Sequence, residues 1–319
     1  MFNKLIVGGI AALTLSASVF AAYPDRPVTI MVPFPAGQTG DIIARTVGEQ
    51  LTKKLGQSFI VENRGGAGGR IGTGFAARGK NDGYTLLLTS TGPFAIAPSL
   101  YSTLNYDPLN DFEPVADIAA TPQILAVSKE SGINNVEGLL KKARSEDISY
   151  ASAGNGSTQH LTVELIKQEL KVPMVHIPFK GSSESKTQVM SGLIPFTSDS
   201  LPAILPQIKS GQLKPIAVVD LERSEYLPDV PTLAELGYPK FSTVAFFGLM
   251  APKGTPKEVV DTLNKNVIEI LNSPETTKRF EELALTRAKE RTPEEFREYL
   301  TSEVAKWKKV IDDADAKIE

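Results

Sequence analysis

Glycine and small polar residues cluster at residues 33–41, Pro-Phe-Pro-Ala-Gly-Gln-Thr-Gly-Asp, between an apolar run typical of a buried strand and an amphipathic stretch typical of a helix. A glycine-rich turn of this kind, here called the first glycine turn, lets the backbone approach a ligand closely. The unpaired N–H groups and the dipole of the following helix favour an anion there. The residues therefore predict a site for a carboxylate or a phosphate.

The same pattern returns later in the chain. Residues 148–152 predict a strand, and residues 153–158, Ala-Gly-Asn-Gly-Ser-Thr, lead into a helical stretch at 159–170. This second glycine turn and the first could hold one ligand from both ends. Residues 65–69 are also rich in glycine but lack the Gly-Lys-Ser/Thr ending of a phosphate-binding P-loop, so they indicate a nucleotide site only weakly.

Length and charge narrow the class of protein. A chain of 319 residues suits two domains of ordinary size, and a cleft between domains is the usual place for a ligand. The 34 Lys and Arg residues against 37 Asp and Glu residues give a net charge of −3, with no basic stripe. A nucleic-acid-binding surface is therefore not expected.

The first residues predict export. Lys4 precedes an apolar run at residues 5–19, and the small residues near Ala21 suit a signal peptidase, so residues 1–21 are interpreted as a signal peptide and the mature chain begins near Ala22 or Tyr23. The chain has no cysteine, which excludes thiol catalysis, thiolate metal sites and a lipid-modified cysteine. We expect a soluble periplasmic protein.

Hydrophobic spacing predicts an α/β protein of two doubly wound lobes. In the first half, strands at 28–32, 59–61 and 84–88 alternate with a helix that ends at Gly56 and a short helix at 71–76, which is a parallel βαβαβ unit. In the second half the predicted strands are 123–127, 148–152, 174–177, 193–197 and 215–219, and the predicted helices are 136–143, 158–170 and 184–190.

The chain is expected to cross between the lobes twice. A further strand is predicted at 246–250, and everything after residues 255–256 is predicted to be helical and to pack on the first lobe. Linkers near Thr121 and Thr243 then divide the chain into lobe one, residues 22–121 plus 244–319, and lobe two, residues 122–243. Two crossings form a hinge that could close the lobes around a ligand.

Phrases along most of the mature chain, in order, resemble the receptor component of tripartite tricarboxylate transporters, the Bug-type periplasmic family. This colinearity is far more specific than any single glycine turn. The phrases are Tyr23-Pro24-x-x-Pro27-Val28, Pro33-Phe34-x-x-Gly37-x-x-x-Asp41, Ala44-Arg45, Gly56-Gln57, Val61-Glu62-Asn63-Arg64, Gly66-Ala67-Gly68-Gly69, Asp82-Gly83-Tyr84-Thr85-Leu86, Tyr106-Asp107-Pro108, Asp111-Phe112, Gly154-x-Gly156-Ser157-x-x-His160-Leu161, Pro178-x-Lys180-Gly181, Leu227-Pro228-Asp229-Val230-Pro231-Thr232-Leu233-x-Glu235 and Ala251-Pro252-x-Gly254-Thr255-Pro256.

The resemblance implies a binding protein of the type II, Venus-flytrap architecture. A small carboxylate would lie between the lobes, held largely by backbone N–H groups and ordered water, without catalysis, cofactor or metal. Its partners would be the permease subunits of the membrane transporter, and we expect a monomer. The implied ligand-binding positions are Phe34, Ala36, Gly37, Gln38, Thr39, Asp41, Thr89, Ser90, Thr91, Ser157, Thr158, His160, Gly181 and Asp199.

The chain departs from the family pattern at Gln38, where adjacent glycines are usual, so an amide is added to the pocket and could help to choose the ligand. Serines at 182 and 183 add two hydroxyls after Gly181, and Phe246 and Phe247 replace a phrase that usually has Trp. Asp41 is interpreted as a helix cap more readily than as a contact to an acid group, which it would repel.

Two alternative functions stay open at this point. The ligand-loaded receptor could dock to a signalling kinase, which the sequence does not distinguish from uptake. A secreted hydrolase is disfavoured because no Gly-x-Ser-x-Gly elbow precedes an Asp and a His in that order. The two histidines, His160 and His176, form no recognisable metal-ligand pair, and His176 lies in a predicted apolar strand where a core imidazole is the common outcome.

Overall fold

The computed structural model describes residues 23–239, 242–313 and 317–318, so the predicted signal peptide lies outside the described residues. The strands are β1 (Val28–Val32), β2 (Phe59–Asn63), β3 (Thr85–Ser90), β4 (Phe112–Thr121), β5 (Gln123–Ser128), β6 (Ser149–Ser152), β7 (Val175–Pro178), β8 (Phe196–Ser200), β9 (Leu213–Val219), β10 (Ala245–Pro252) and β11 (Thr286–Arg287). The helices are α1 (Thr39–Leu55), α2 (Arg70–Ala77), α3 (Ala97–Leu100), α4 (Val136–Ser145), α5 (Thr158–Leu170), α6 (Ser182–Met190), α7 (Leu201–Lys209), α8 (Lys257–Leu271), α9 (Pro274–Glu282) and α10 (Pro293–Asp313).

The strands form two sheets of the same design. The first lobe contains the sheet β2-β1-β3-β10-β4-β11, and the second lobe contains the sheet β7-β6-β8-β5-β9. In each sheet three strands are parallel, and the fourth in the row is antiparallel to its neighbours: β10 in the first lobe and β5 in the second. The predicted α/β architecture of two lobes is therefore confirmed, although both sheets are mixed rather than wholly parallel.

The antiparallel strands are where the chain changes lobe. Only Pro122 separates β4, in the first sheet, from β5, in the second. The chain returns between β9 and β10, where the Thr243 N–H donates to the carbonyl oxygen of Val219 at 3.1 Å. The chain thus passes from the first sheet to the second at Pro122 and returns between Val219 and Ala245; the division into lobes at Thr121 and Thr243 stays a prediction.

Each sheet is covered by helices on both faces, and this explains why its strands are almost continuously apolar. In β1, Val28, Ile30 and Val32 pack with residues of α1 and α8 on one face, whereas Met31 belongs to the core on the opposite face with Trp307 of α10. The second sheet has two such cores of its own. The parallel strands therefore hold their carboxyl ends, and the turns that follow them, on a rigid base.

Four of the described elements were not predicted: the short helix α3, strand β4, helix α7 and strand β11. Strand β4 lacks the simple patterns of a strand because Glu113 and Pro114 interrupt it, and helix α7 contains Pro202 and Pro206, which usually mark a break. Pro202 lies in the first turn, where its missing N–H costs nothing. The short strand β11 lies in the C-terminal stretch that was expected to be wholly helical, and it pairs with β4.

Candidate ligand-binding site between the lobes

The carboxyl ends of strands from both sheets meet at one small cavity. Its volume is about 30 Å³, which corresponds to roughly two water molecules, so the lobes are closed against each other. No charged side chain stands among its lining residues, all of them in the described part of the chain. The cavity is lined by Phe34, Gln38, Thr39, Gly40, Ser90, Gln123, Thr158, Gln159, Ser200, Ala245 and Phe247.

The first glycine turn is braced by the helix that it precedes. Gly37 has a φ of 82°, which favours glycine, and its N–H donates to Asp41 Oδ2 at 2.9 Å. Arg45 Nη2 lies 2.9 Å from Asp41 Oδ1. Burial acts against ionisation, but the hydrogen bonds from Arg45 and Gly37 keep the pKa of Asp41 below its usual value. The Asp41 carboxylate thus fixes the turn, and the first N–H groups of α1 point toward the cavity end of the helix.

The second glycine turn is fixed in a similar way. Gly156 adopts a φ of 77°, and its N–H donates to His160 Nδ1 at 3.2 Å. Ser157 is the N-cap of α5, and its Oγ accepts from the His160 N–H at 3.3 Å. Ser157 and His160 therefore shape the turn, while Thr158 and Gln159, at the start of α5, line the cavity.

Asp199 lies behind the cavity wall rather than in it. Its side chain is fully buried at the end of β8, and its carboxylate accepts from the Ser182 hydroxyl, from Gln159 Nε2 at 3.0 Å and from the Ser200 N–H at 2.8 Å. Burial raises the pKa of Asp199, and these hydrogen bonds oppose that rise. Asp199 thereby ties together the N-terminal ends of α5, α6 and α7.

The residues at the end of β3 and directly after it have different surroundings. Ser90 lines the cavity, whereas Thr91 Oγ1 accepts from the Phe246 N–H at 2.9 Å and holds β10 in place. Thr89 is fully buried and its hydroxyl has no partner among the described residues. Phe34 supplies an apolar part of the cavity wall.

The first glycine turn contacts the second lobe directly. Thr39 Oγ1 and Ser200 Oγ share a hydrogen bond of 2.7 Å, and Ser183 Oγ donates to the carbonyl oxygen of Ala36 at 3.4 Å. A Cβ atom placed on Gly181 would overlap Gln38 Nε2 and lie 3.0 Å from Pro35. Ala36 and Gly181 therefore belong to the contact between the lobes.

The glycine-rich residues 65–69 have a role that the sequence did not indicate. A Cβ on Gly68 would overlap the carbonyl oxygen of Asn155, in the second glycine turn, and one on Gly92 would lie 3.0 Å from the carbonyl oxygen of Gly156. Tyr101 Oη also donates to the Asn155 carbonyl oxygen, at 2.9 Å. These glycines let the second glycine turn approach the first lobe.

Five lining residues were missed by the sequence reasoning. Gln123, Ala245 and Phe247 lie on β5 and β10, the antiparallel strands at the two crossings, and Ser200 ends β8. Gln123 could have been noticed in the sequence because it is a polar residue at the start of an otherwise apolar strand. The five residues are Gln123, Gln159, Ser200, Ala245 and Phe247.

The two histidines stack on each other in the second lobe, with ring centroids 4.0 Å apart, and Ser152 Oγ lies 2.6 Å from His176 Nε2. Burial lowers the pKa of His160 to about 4 and that of His176 to about 3, so both rings are neutral at pH 7. Within the described ranges, no group of three or more His, Asp or Glu side chains is arranged to hold a metal ion.

We expect the folded state to lose stability as the pH falls from about 6.5 toward 4. The unfolded chain takes up a proton on His160 near pH 6.5 and the folded chain only near pH 4, so at pH 5 this residue costs about 2 kcal/mol relative to pH 7. Urea unfolding at pH 7 and pH 5 measures the loss. His160→Gln should reduce it by that amount, and an equal loss in both proteins would contradict the assignment.

Comparison with known proteins gives matches over most of the chain. A family model described as the tripartite tricarboxylate transporter family receptor matches residues 43–315. Protein BugT of Bordetella pertussis, strain Tohama I, is 35% identical over 314 residues, which is 97% of this chain and 96% of that protein.

Two solved structures are similar in both sequence and fold. Rpa4515 of R. palustris with adipate is 35% identical, has a TM-score of 0.88 and is matched over 92% of this chain and 98% of its own. MatC (Rpa3494) of Rhodopseudomonas palustris with bound malate is 31% identical, has a TM-score of 0.86 and is matched over 91% and 100%. The two-lobed type II architecture is therefore confirmed, and the chain belongs to the Bug-type receptor family of the tripartite tricarboxylate transporters.

Proposed function

We propose that this protein is an extracytoplasmic receptor that closes two lobes, residues 22–121 plus 244–319 and residues 122–243, on a small organic carboxylate and delivers it to the permease of a tripartite tricarboxylate-type transporter. The observation that carries the proposal is that α1 and α5, on opposite sheets, begin at one cavity without charged lining residues. Two helix N-termini supply N–H groups and partial positive charge for an anion.

The residues of the site have two kinds of role in this proposal. Those that line the cavity contact the ligand; among the expected positions they are Phe34, Gln38, Thr39, Ser90 and Thr158. The remaining expected positions hold the turns and the contact between the lobes: Ala36, Gly37, Asp41, Thr89, Thr91, Ser157, His160, Gly181 and Asp199. Adipate and malate in the two solved relatives support a carboxylate as the ligand class.

A periplasmic location follows from the receptor family and from the predicted signal peptide. Among the described residues there is no helix with the length and apolar character needed to cross a bilayer. Permease subunits remain the proposed partners, with the receptor as a monomer. A signalling kinase as the partner has no support in the comparisons.

Binding without catalysis is the proposed activity. Ser152 lies close to His176, as a nucleophile would to its base, but Ser152 is fully buried and its Oγ accepts from the Gly154 N–H at 3.1 Å, so it acts as a brace of the second glycine turn. The cavity-lining residues include neither histidine. Unchanged ligand recovered after long incubation with the purified protein would agree with this proposal.

A panel of small organic acids tests the receptor function. At a free ligand concentration of a hundred times Kd, binding should stabilise the protein by about 2.7 kcal/mol, which raises Tm by several degrees for domains of this size. The measurement is a thermal shift at pH 7.5 with sodium salts of mono-, di- and tricarboxylates, after mass spectrometry has shown the protein to be free of ligand. Sodium chloride at equal ionic strength is the control. The absence of any shift at millimolar concentration would contradict the proposal.

A further inference from the structure

A lysine side chain is buried in the second lobe. Lys186, in α6, is 8% exposed, and no other Lys or Arg side chain within residues 23–239, 242–313 and 317–318 is buried. Its Nζ donates to the carbonyl oxygen of Ala203, in the first turn of α7, at 2.6 Å. An ammonium group taken out of water is costly unless an opposite charge compensates it. Lys186 therefore needs a negative partner between α6 and α7.

Asp199 supplies that negative charge. Its carboxylate accepts from the hydroxyl of Ser182, which precedes Lys186 by four residues on α6, so the two α6 side chains share one face of the helix. Ala203, which holds the ammonium group, follows Asp199 by four residues. Burial raises the pKa of Asp199, and the Ser182 hydroxyl and the positive charge of Lys186 oppose that rise. Lys186 and Asp199 therefore form a buried pair of opposite charges.

This pair stands directly behind the cavity. Gln159 Nε2 and the Ser200 N–H donate to Asp199 Oδ1 at 3.0 Å and 2.8 Å, and Gln159 and Ser200 both line the cavity. With one residue between them, the Asp199 carboxylate is roughly 8 Å from a ligand, and the ammonium group, one turn along α7 from Ser200, is roughly 10 Å away. At an effective dielectric constant of about 20, a unit charge at such distances changes the affinity for an anion by roughly tenfold to thirtyfold. Asp199 alone would repel an anion, and Lys186 offsets that repulsion.

We propose that Lys186 sets the affinity of the site for a carboxylate by offsetting the charge of Asp199, without touching the ligand. The proposal rests on the receptor function and adds a positive charge behind a cavity whose lining residues carry none. It explains how an acid group can stand behind the wall of an anion site. Asp199 keeps the hydrogen bonds that join α5, α6 and α7, while the net charge of the pair stays at zero.

No other side chain described around this pair is expected to change its charge between pH 7 and pH 9. Burial lowers the pKa of His160, on α5, to about 4 and that of His176, on β7, to about 3, so both rings are neutral in this range. Glu184, in the first turn of α6, is exposed to solvent. The groups that contact Asp199 or pair with it from α5, α7 and β5 are uncharged: Gln159, Ser200 and Ile124. Without Lys186, Asp199 is the buried group that can take up a proton here.

Isothermal titration of Lys186→Met at pH 7 and pH 9 tests the proposal. The ligand is the acid, among the mono-, di- and tricarboxylates of the panel, that binds the unaltered protein most tightly. The variant should bind it roughly tenfold more weakly than the unaltered protein at pH 9. At pH 7 it should regain at least about threefold, because Asp199 then takes up a proton and stops repelling the acid. The unaltered protein should have the same affinity at both pH values. Buffers of different ionisation enthalpy should show proton uptake on binding in the variant alone.

Three further variants separate charge from packing. Lys186→Arg keeps the charge and should stay within about threefold of the unaltered protein at both pH values. Asp199→Asn leaves Lys186 unbalanced and should bind more tightly. The double variant Lys186→Met with Asp199→Asn has a net charge of zero and should return to within about threefold of the unaltered protein, whereas losses of packing would accumulate. Ligand-free Tm and circular dichroism establish that each variant is folded, and Lys186→Gln replaces Lys186→Met if the latter is not.

The outcomes distinguish the two proposals. Equal affinity of Lys186→Met and the unaltered protein at pH 9 would show that the charge at residue 186 does not reach the ligand. A loss that is the same at pH 7 and pH 9 and persists in the double variant would show that Lys186 serves packing. Either result overturns the inference and leaves the receptor function intact. If no acid of the panel binds the unaltered protein, the receptor function itself fails and the inference fails with it.

Discussion

Replacing Gln38 with Glu should lower the affinity for a carboxylate ligand by at least about a hundredfold at pH 7.5. The exchange keeps the shape of the side chain but puts an oxygen where Nε2 now lies, buried and without a partner. Two like charges about 4 Å apart at an effective dielectric constant of about 20 repel by about 4 kcal/mol. Protonating the introduced carboxyl instead, from a pKa near 4.3, costs about the same at this pH.

Isothermal titration measures this loss, and Gln57→Glu is the matched control. Gln57 follows the other end of α1, about 25 Å away by the rise of a 17-residue helix, so its variant makes the same change in net charge without touching the cavity. Part of the lost affinity should return between pH 7.5 and 5.5, because a protonated carboxyl can donate to the ligand. Affinity equal to that of the control would remove Gln38 from the site.

The sequence was sufficient for the features that depend on local pattern. Helix α1 begins after Gln38 and ends at Gly56 in a left-handed conformation with a φ of 72°, as its spacing and its glycine indicate. Helix α5 spans Thr158–Leu170, the predicted range. The two glycine turns could be recognised because the backbone conformations they need are largely restricted to glycine.

The direction of side chains could not be predicted in the same way. Asp41, His160 and Asp199 lie next to cavity residues in sequence, yet none of the three lines the cavity, and each fixes backbone or hydroxyl groups. A turn that presents N–H groups to a ligand needs acceptors behind it that hold it in shape. Position in a turn therefore predicts the neighbourhood of the candidate site, whereas the lining of the cavity can be read only from the folded chain.

The sequence could not predict that residues near the two crossings line the cavity, and the reason is topological. Gln123 and Phe247 reach the cavity because β5 and β10 insert as antiparallel strands beside β8 and β3. Nothing in the local sequence tells which sheet such a strand joins or which of its ends faces the other lobe. The same holds for Gly68, whose contact with Asn155 exists only because the lobes are closed.

Adding side-chain volume at Gly181 should prevent closure and thereby binding. Gly181 has a φ of 176°, an extended conformation open to any residue, so a substitution does not strain the backbone. Its Cβ would overlap Gln38 Nε2 and press on Pro35 across the cleft. Overpacking of this kind costs about 1–3 kcal/mol, so Gly181→Ala should weaken binding by about tenfold and Gly181→Val by about a hundredfold.

Small-angle X-ray scattering with saturating ligand distinguishes blocked closure from lost contacts. Gly181→Val should keep the larger radius of gyration of an open protein, whereas Gly138→Ala, in α4 of the same lobe and next to Asn135 only, should close as the unaltered protein does. Combining Gly181→Ala with Gln38→Gly removes the overlapping amide, so the penalty for Gly181→Ala should shrink in that background. An undiminished penalty would mean that Gly181 acts through Pro35 or within its own lobe, and that Gln38 does not face it when ligand is bound.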